Sequence, residues 1–263
     1  MSYHANDRVA AEEYLRQGDN YYRNGKYPQA IEAYLKAEQR CPGQLDTYNV
    51  IGLTYAVQGH YPQSVAFFRK ALRIDPDNVF ALYNMGMAYS AQRHYPQAIQ
   101  ALQKVIHFRP DYFQAYNSLG RAYEDLDRLD ESIEAYEQAV RCKPDFDIAY
   151  YNLGNVYDML GYPDKALKAY KQSIKINPDN AKAYNNMGNV YFNQDNSEAA
   201  LNSYLQALQL DPADSIAMIN IGHVYSEMGN HNLAIEAYNN ALRIDPYCAE
   251  AEEYLQIALT ADN

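Results

Sequence analysis

The sequence predicts an all-α fold, an α-solenoid of seven 34-residue helix–turn–helix units closed by one capping helix. Three columns of residues predict it. Prolines stand at 42, 76, 110, 144, 178, 212 and 246, each 34 residues from the next. Glycines at 18, 52, 86, 120, 154, 188 and 222, and tyrosines at 21, 55, 89, 123, 157, 191 and 225, keep the same step without an insertion. A period of this length marks a supersecondary unit that cannot bury its apolar face alone and must stack on its neighbours.

Residues 1–10 read as a frayed lead-in, with Asp7 available to cap the first helix. The repeats then run 11–44, 45–78, 79–112, 113–146, 147–180, 181–214 and 215–248. Each reads as two helices. In 147–180 the segment DIAYYNLGNVYDML puts Tyr150, Leu153 and Tyr157 on one row, a helical and not an alternating period. Gly161-Tyr162-Pro163 turns the chain into PDKALKAYKQSIKI, a second amphipathic stretch. Pro28, Pro62 and Pro96 fall in the first turn of second helices, where a missing N–H costs nothing. The proline that closes each unit stops the helix, and Asp77-Asn78 or Asp179-Asn180 can cap the next one. Residues 249–263 supply one more helix, with Ala251, Leu255 and Leu259 on its apolar stripe and Glu250, Glu252 and Glu253 toward water. Gln256 stands there where a further unit would have glycine, so the segment reads as a cap.

Each column has a physical reason. Glycine at the eighth position removes a Cβ where the two helices approach, and the small residue at the twentieth (Ala30, Ser64, Ala98, Ser132, Ala166, Ala200, Ala234) is expected to face it. Aromatics at positions 4, 11 and 24 fill the space between helices, each burial contributing about 1.5–3 kcal/mol. Most of the 28 tyrosines occupy such repeat positions, so the tyrosine richness is packing. Arg93, Asp127 and Asp195 replace the turn glycine in three units, which leaves the geometry of those turns open.

These residues resemble the tetratricopeptide repeat (TPR) family. Its pattern has an aromatic at position 4, Leu at 7, Gly at 8, Tyr at 11, Gly at 15, Ala at 20, an aromatic at 24, Ala at 27 and Pro at 32. The unit 147–180 carries Tyr150, Leu153, Gly154, Tyr157, Gly161, Ala166, Tyr170 and Pro178, with Ser173 in place of the second alanine. The resemblance covers about nine-tenths of the chain. It implies a right-handed α-solenoid and a role in binding proteins.

Composition excludes several other roles. At 48% hydrophobic and 21% charged residues the chain can fill a core. A net charge of −11 argues against nucleic acid, whose phosphates require clustered Lys and Arg. No apolar run approaches the roughly 20 residues that span a bilayer, and MSYHANDRVA lacks a signal peptide's apolar stretch, so no membrane insertion and a cytoplasmic location are expected. Cys41, Cys142 and Cys248 are odd in number and lack CxxC spacing, which suggests neither a disulfide framework nor a zinc site. There is no HExxH, GxSxG or glycine-rich phosphate loop, and His60 and His94 recur at one turn position, a structural signature. A non-enzyme without cofactor or metal is expected.

What remains is the groove. In a stacked array the first helices line the concave side, and positions 2, 5, 6, 9, 12 and 13 point inward by helical spacing. Position 6 is Asn84, Asn152, Asn186 and Asn220, and position 9 adds Asn155 and Asn189. A side-chain amide carries a donor and an acceptor, the complement of a peptide group, so these residues are candidates to hold an extended backbone. The arrangement is similar to the asparagine ladder in the TPR superhelix of O-linked N-acetylglucosamine transferase (O-GlcNAc transferase). Units two and three instead present Val50, Leu53, Val57, Phe80, Tyr83 and Met87, a candidate apolar pocket. Tyr22, Arg121, Tyr151 and Lys182 are further groove residues. The family's carboxylate clamp is matched at Asn152 and Lys182, but Asn117, Arg121 and Asn186 stand where it needs Lys, Asn and Arg, which disfavours a heat-shock co-chaperone.

The expected function is therefore an adaptor or scaffold that binds a protein, as an extended peptide or a partner helix. Two alternatives stay open: a structural subunit of a homo-oligomer or multiprotein complex, and a regulatory subunit of an enzyme on another chain.

Overall fold

The computed structural model describes residues 2–261, with side chains over 6–260. Its described residues form fifteen α-helices and no strand. They fall into two compact units, Met1–Cys142 and Lys143–Asn263. The N-terminal unit holds α1 (Ser2–Arg23), α2 (Tyr27–Arg40), α3 (Leu45–Val57), α4 (Tyr61–Ile74), α5 (Val79–Ala91), α6 (Tyr95–Phe108), α7 (Phe113–Glu124) and α8 (Leu129–Cys142). The C-terminal unit holds α9 (Asp147–Met159), α10 (Pro163–Ile176), α11 (Ala181–Phe192), α12 (Ser197–Leu210), α13 (Ser215–Glu227), α14 (His231–Ile244) and α15 (Ala249–Ala261).

Within each unit, successive helices pack as hairpins: α1 on α2, α3 on α4, α5 on α6 and α7 on α8, then α9 on α10, α11 on α12 and α13 on α14. First helices of neighbouring hairpins also meet directly, α3 with α5 and α5 with α7, α9 with α11 and α11 with α13. They therefore form a layer of their own in each unit. None of the described helices is long and apolar enough to cross a membrane.

Local chemistry ends the helices where the sequence places its signals. Asn78 Oδ1 accepts from the Ala81 N–H at 2.9 Å, Asn180 from Ala183 at 3.1 Å, and Asp214 from both Ile216 and Ala217 at 3.0 Å. At the turn between paired helices Gly25, Gly59, Gly161 and Gly229 have φ of +70° to +75°. Arg93, Asp127 and Asp195 adopt the same left-handed backbone, at φ of +59°, +57° and +57°. The turn is thus imposed by the hairpin, at a cost of about 1–2 kcal/mol for a residue with a Cβ.

The glycine column meets a different partner from the one expected. The atoms nearest a Cβ built at Gly120 belong to the Tyr136 ring at 2.6 Å, at Gly188 to the Tyr204 ring at 2.5 Å, and at Gly52 to Phe68 at 2.9 Å. Position 24, rather than the small residue at 20, lies over the glycine. Side chains on a helix lean toward its N-terminus, so a ring anchored at 24 covers the level of the preceding turn. Tyr34, Phe68, Tyr136, Tyr170, Tyr204 and Tyr238, all at position 24, are buried.

Two terminal expectations are corrected. Helix α1 runs unbroken from Ser2, so residues 2–10 are helical, and Asp7 lies inside the helix, 3.6 Å from Arg40. At the other end Ala251, Leu255 and Ala258 pack onto Ile219, Tyr238 and Ala241, while Leu259 is exposed. The spacing 251, 255, 258 follows the 3.6-residue period more closely than 251, 255, 259.

The glycine contact predicts that Gly188→Ala, which forces the Tyr204 ring to move, destabilises the protein by about 1–3 kcal/mol. In Gly86→Ala the new Cβ meets Leu102 at 3.1 Å, a flexible side chain, and gains helix propensity of up to about 1 kcal/mol. Urea unfolding of the two variants should separate them; equal losses would contradict the assignment of the contact.

Candidate functional site

Asparagines of the C-terminal unit join in two rungs that share a design and differ in one acceptor. In the first, the Tyr170 hydroxyl donates to Asn155 Oδ1 at 2.9 Å, and Asn186 Nδ2 donates to the same oxygen at 2.9 Å and to the Tyr151 hydroxyl at 3.3 Å. In the second, the Tyr204 hydroxyl donates to Asn189 Oδ1 at 2.8 Å, and Asn220 Nδ2 donates to Asn189 Oδ1 at 3.2 Å and to Asn185 Oδ1 at 3.3 Å. A buried tyrosine thus anchors an asparagine on its own hairpin, and that asparagine orients one on the next.

This uses up part of each amide. Both N–H donors of Asn186 and Asn220 are committed internally, as are both lone pairs of Asn155 and Asn189 Oδ1. Each rung keeps an acceptor on one residue, Asn186 or Asn220, and a donor on the other, Asn155 or Asn189. The sequence expectation that every asparagine offers both functions is therefore replaced by a division of labour between positions 6 and 9.

Of the other expected amides, Asn152 is half-buried on α9, in the same unit as the rungs. Asn84 lies in the N-terminal unit and donates back to the Phe80 carbonyl of its own helix at 2.8 Å. It joins no rung.

The apolar residues divide as well. Val57 and Phe80 are exposed, at 46% and 45%, whereas Val50, Leu53, Tyr83 and Met87 are half-buried. Leu53 packs in the cluster around Phe68, whose ring meets Phe80 edge-on at 6.4 Å. Tyr83 packs on Tyr112 at 5.2 Å, and Val50 packs beside Tyr34 and Ile51. Met87 lines a depression of about 180 Å³ with Ser118, Arg121 and Asp125. Phe80 and Val57 are the residues of this set most open to a partner.

Of the remaining expected groove residues, the two tyrosines pack against neighbouring rings. Tyr22 packs edge-on against Tyr27 at 5.4 Å, and Tyr151 lies 6.1 Å from the Tyr170 ring while accepting from Asn186. Arg121 and Lys182 are exposed. Burial raises the Glu124 carboxyl above the ordinary carboxylate range, against the hydrogen bond from Tyr136 and the charge of Arg121. The Tyr136 hydroxyl donates to Glu124 Oε2 at 2.8 Å.

A rule missed in the sequence becomes visible here. Where position 24 is tyrosine, an acceptor waits at position 9 or 12: Asp19 for Tyr34, Glu124 for Tyr136, Asn155 for Tyr170 and Asn189 for Tyr204. Where it is Phe68 or Leu102, position 9 is Leu53 or Met87. The last hairpin departs from it, since His223 stands at position 9 and packs 4.2 Å from Tyr254 of α15. Burial lowers the His223 pKa, leaving a neutral imidazole at neutral pH, and raises that of Tyr238 to about 12. The covariation of positions 9 and 24 could have been read from the columns themselves.

Family models described as tetratricopeptide repeat match residues 15–79, 83–145, 135–168, 181–214 and 215–248, and one described as TPR repeat matches 164–195. No curated protein is significantly similar in sequence. Among solved structures, MamA is 30% identical with a TM-score of 0.59 over 62% of this chain and 95% of its own. YrrB, described as a TPR protein with an unusual peptide-binding site, is 22% identical with a TM-score of 0.60 over 71% and 96%. The C-terminal part of a TPR repeat-containing protein from Cytophaga hutchinsonii is 18% identical with a TM-score of 0.76 over 92% and 99%.

The pairing of positions 9 and 24 predicts that Phe68→Tyr buries a hydroxyl opposite Leu53 and costs about 1–3 kcal/mol. Adding Leu53→Asn should restore about 1 kcal/mol by supplying the acceptor. Equilibrium unfolding of the single and double variants measures this; no recovery in the double variant would show that the acceptor is irrelevant.

Proposed function

The chain belongs to the tetratricopeptide repeat family, and from that premise we propose that it is a non-enzymatic adaptor that holds an extended peptide in the groove lined by its first helices. The observation that carries this reading is the pair of fixed rungs, Asn155 with Asn186 and Asn189 with Asn220, one repeat apart. Each offers one amide donor and one amide acceptor, the complement of a peptide group whatever its side chain. Because the internal bonds already hold the amides in place, little ordering entropy is lost on binding. The likeness to the asparagine ladder of O-GlcNAc transferase extends, in this reading, to the way a backbone is gripped. In the N-terminal unit, the exposed side chains of Val57 and Phe80 offer an apolar surface of their own to a partner's side chains.

The peptide-binding site described for YrrB accords with this use of the fold. A second reading rests on the same exposed apolar pair: Phe80 and Val57 could instead be covered in a larger assembly, in which the chain is a structural or regulatory subunit. Sedimentation velocity distinguishes the two, since an assembly sediments faster than a 30.1 kDa monomer without added peptide.

The triple variant Asn152→Ala, Asn186→Ala, Asn220→Ala should weaken capture of extended peptides by about tenfold or more, at roughly 0.5–1.5 kcal/mol for each amide bond lost. Val57→Asp with Phe80→Asp should change which partners are captured. Affinity capture followed by mass spectrometry reads both effects. An unchanged set of partners at unchanged affinity in both variants would defeat the groove reading.

A further inference from the structure

The second rung borders a pocket of about 280 Å³, lined by Asp158 of α9, Asn189 and Phe192 of α11, Asn193 just beyond it, Tyr204 of α12, and Asn220 and His223 of α13. Its charge is one-sided. Asp158 is half-buried, and its carboxylate has no ion pair or hydrogen bond among the described residues. Asn220 has spent its amide donors on Asn185 and Asn189, leaving its oxygen. His223 and Tyr204 are the other ionisable groups on the wall, and burial favours the neutral form of both. The pocket thus holds one carboxylate and the unspent oxygen of Asn220 beside the Phe192 ring, with no cation of its own.

We propose that this pocket receives a basic side chain, arginine or lysine, of the peptide bound in the groove. The inference rests on the groove reading above and adds a specificity to it. A guanidinium or ammonium carries donors and no acceptor, which matches a carboxylate and an amide oxygen left unpaired. Phe192 covers the aliphatic stem that leads to the charge. An acidic side chain would meet Asp158 with like charge, and an apolar one would leave that carboxylate half-buried without a partner. Asn220 belongs both to the rung and to the pocket, so backbone grip and side-chain selection act at adjacent points of one peptide.

Two probes separate the pocket from the groove. The first is N-acetyl-arginine methylamide, with its neutral isostere N-acetyl-citrulline methylamide as control, titrated while the side-chain amide NMR signals of Asn189, Asn193 and Asn220 are followed. The arginine compound should shift these signals in the intact protein, the citrulline compound should not, and Asp158→Asn should abolish the response. The second is a set of degenerate dodecapeptide pools with the central residue fixed as Arg, Lys, Ala or Glu. Fluorescence anisotropy should show the basic pools binding about tenfold tighter than the Ala pool, and Asp158→Asn should remove that preference while leaving Ala-pool affinity unchanged. Equal shifts with the arginine and citrulline compounds, or a basic preference that survives Asp158→Asn, overturns the pocket assignment. A normal arginine response with no binding of any pool overturns the groove reading and with it the peptide as the source of the basic group. Thermal unfolding of Asp158→Asn verifies that its fold is intact.

Discussion

The contact of a position-24 side chain with the glycine at position 8 is the constraint on which the rest of the structure depends. The two helices of a hairpin can approach only because glycine has no Cβ there, and the ring of Tyr136, Tyr204 or Phe68 takes the vacated space. Interiors packed to the density of organic crystals give little room for a different solution. The same contact fixes the ring's orientation, and hence where a tyrosine hydroxyl emerges at the far edge of the hairpin. That hydroxyl then has to be answered, because a buried donor without a partner costs about 1–3 kcal/mol.

The answer to the hydroxyl decides the character of the first-helix surface. Asn155 and Asn189 stand where they can accept from Tyr170 and Tyr204, and once held they orient Asn186 and Asn220. Phe68 and Leu102 have nothing to be answered, and the facing residues are Leu53 and Met87. Amide rungs in the C-terminal unit and apolar side chains in the N-terminal unit are two outcomes of one packing rule. On the proposed reading, function is therefore written partly in the core, one step behind the residues that would touch a ligand. At the last hairpin the rule gives way to a capping contact, where Tyr254 covers His223 and stacks on Tyr238.

The helices and turns were legible because each carries a local signal: apolar rows at helical spacing, a proline in the first turn, an Asn or Asp cap. The partner of the glycine was not. Positions 8 and 20 look like a matched pair of small residues, and only the lean of the side chain toward the N-terminus brings position 24 over the glycine. Helix α1 exceeded its expected start because no proline or glycine precedes Ala11, and nothing local halts the helix there. The asparagines could be placed on a face from their spacing. Their division into donors and acceptors could not, since it depends on hydroxyls fifteen residues away in sequence but next to them in space. Arg93 shows the reverse case, a turn held at positive φ by the hairpin against the preference of the residue.

The central claim, that core tyrosine and groove asparagine act as one unit, is tested most directly by a double-mutant cycle on Tyr204→Phe and Asn189→Ala in urea unfolding. The account predicts a coupling of about 0.5–1.5 kcal/mol, with the double variant less destabilised than the sum of the singles. Additivity within about 0.3 kcal/mol would show that the two residues are independent, and would contradict the derivation of the groove from the core.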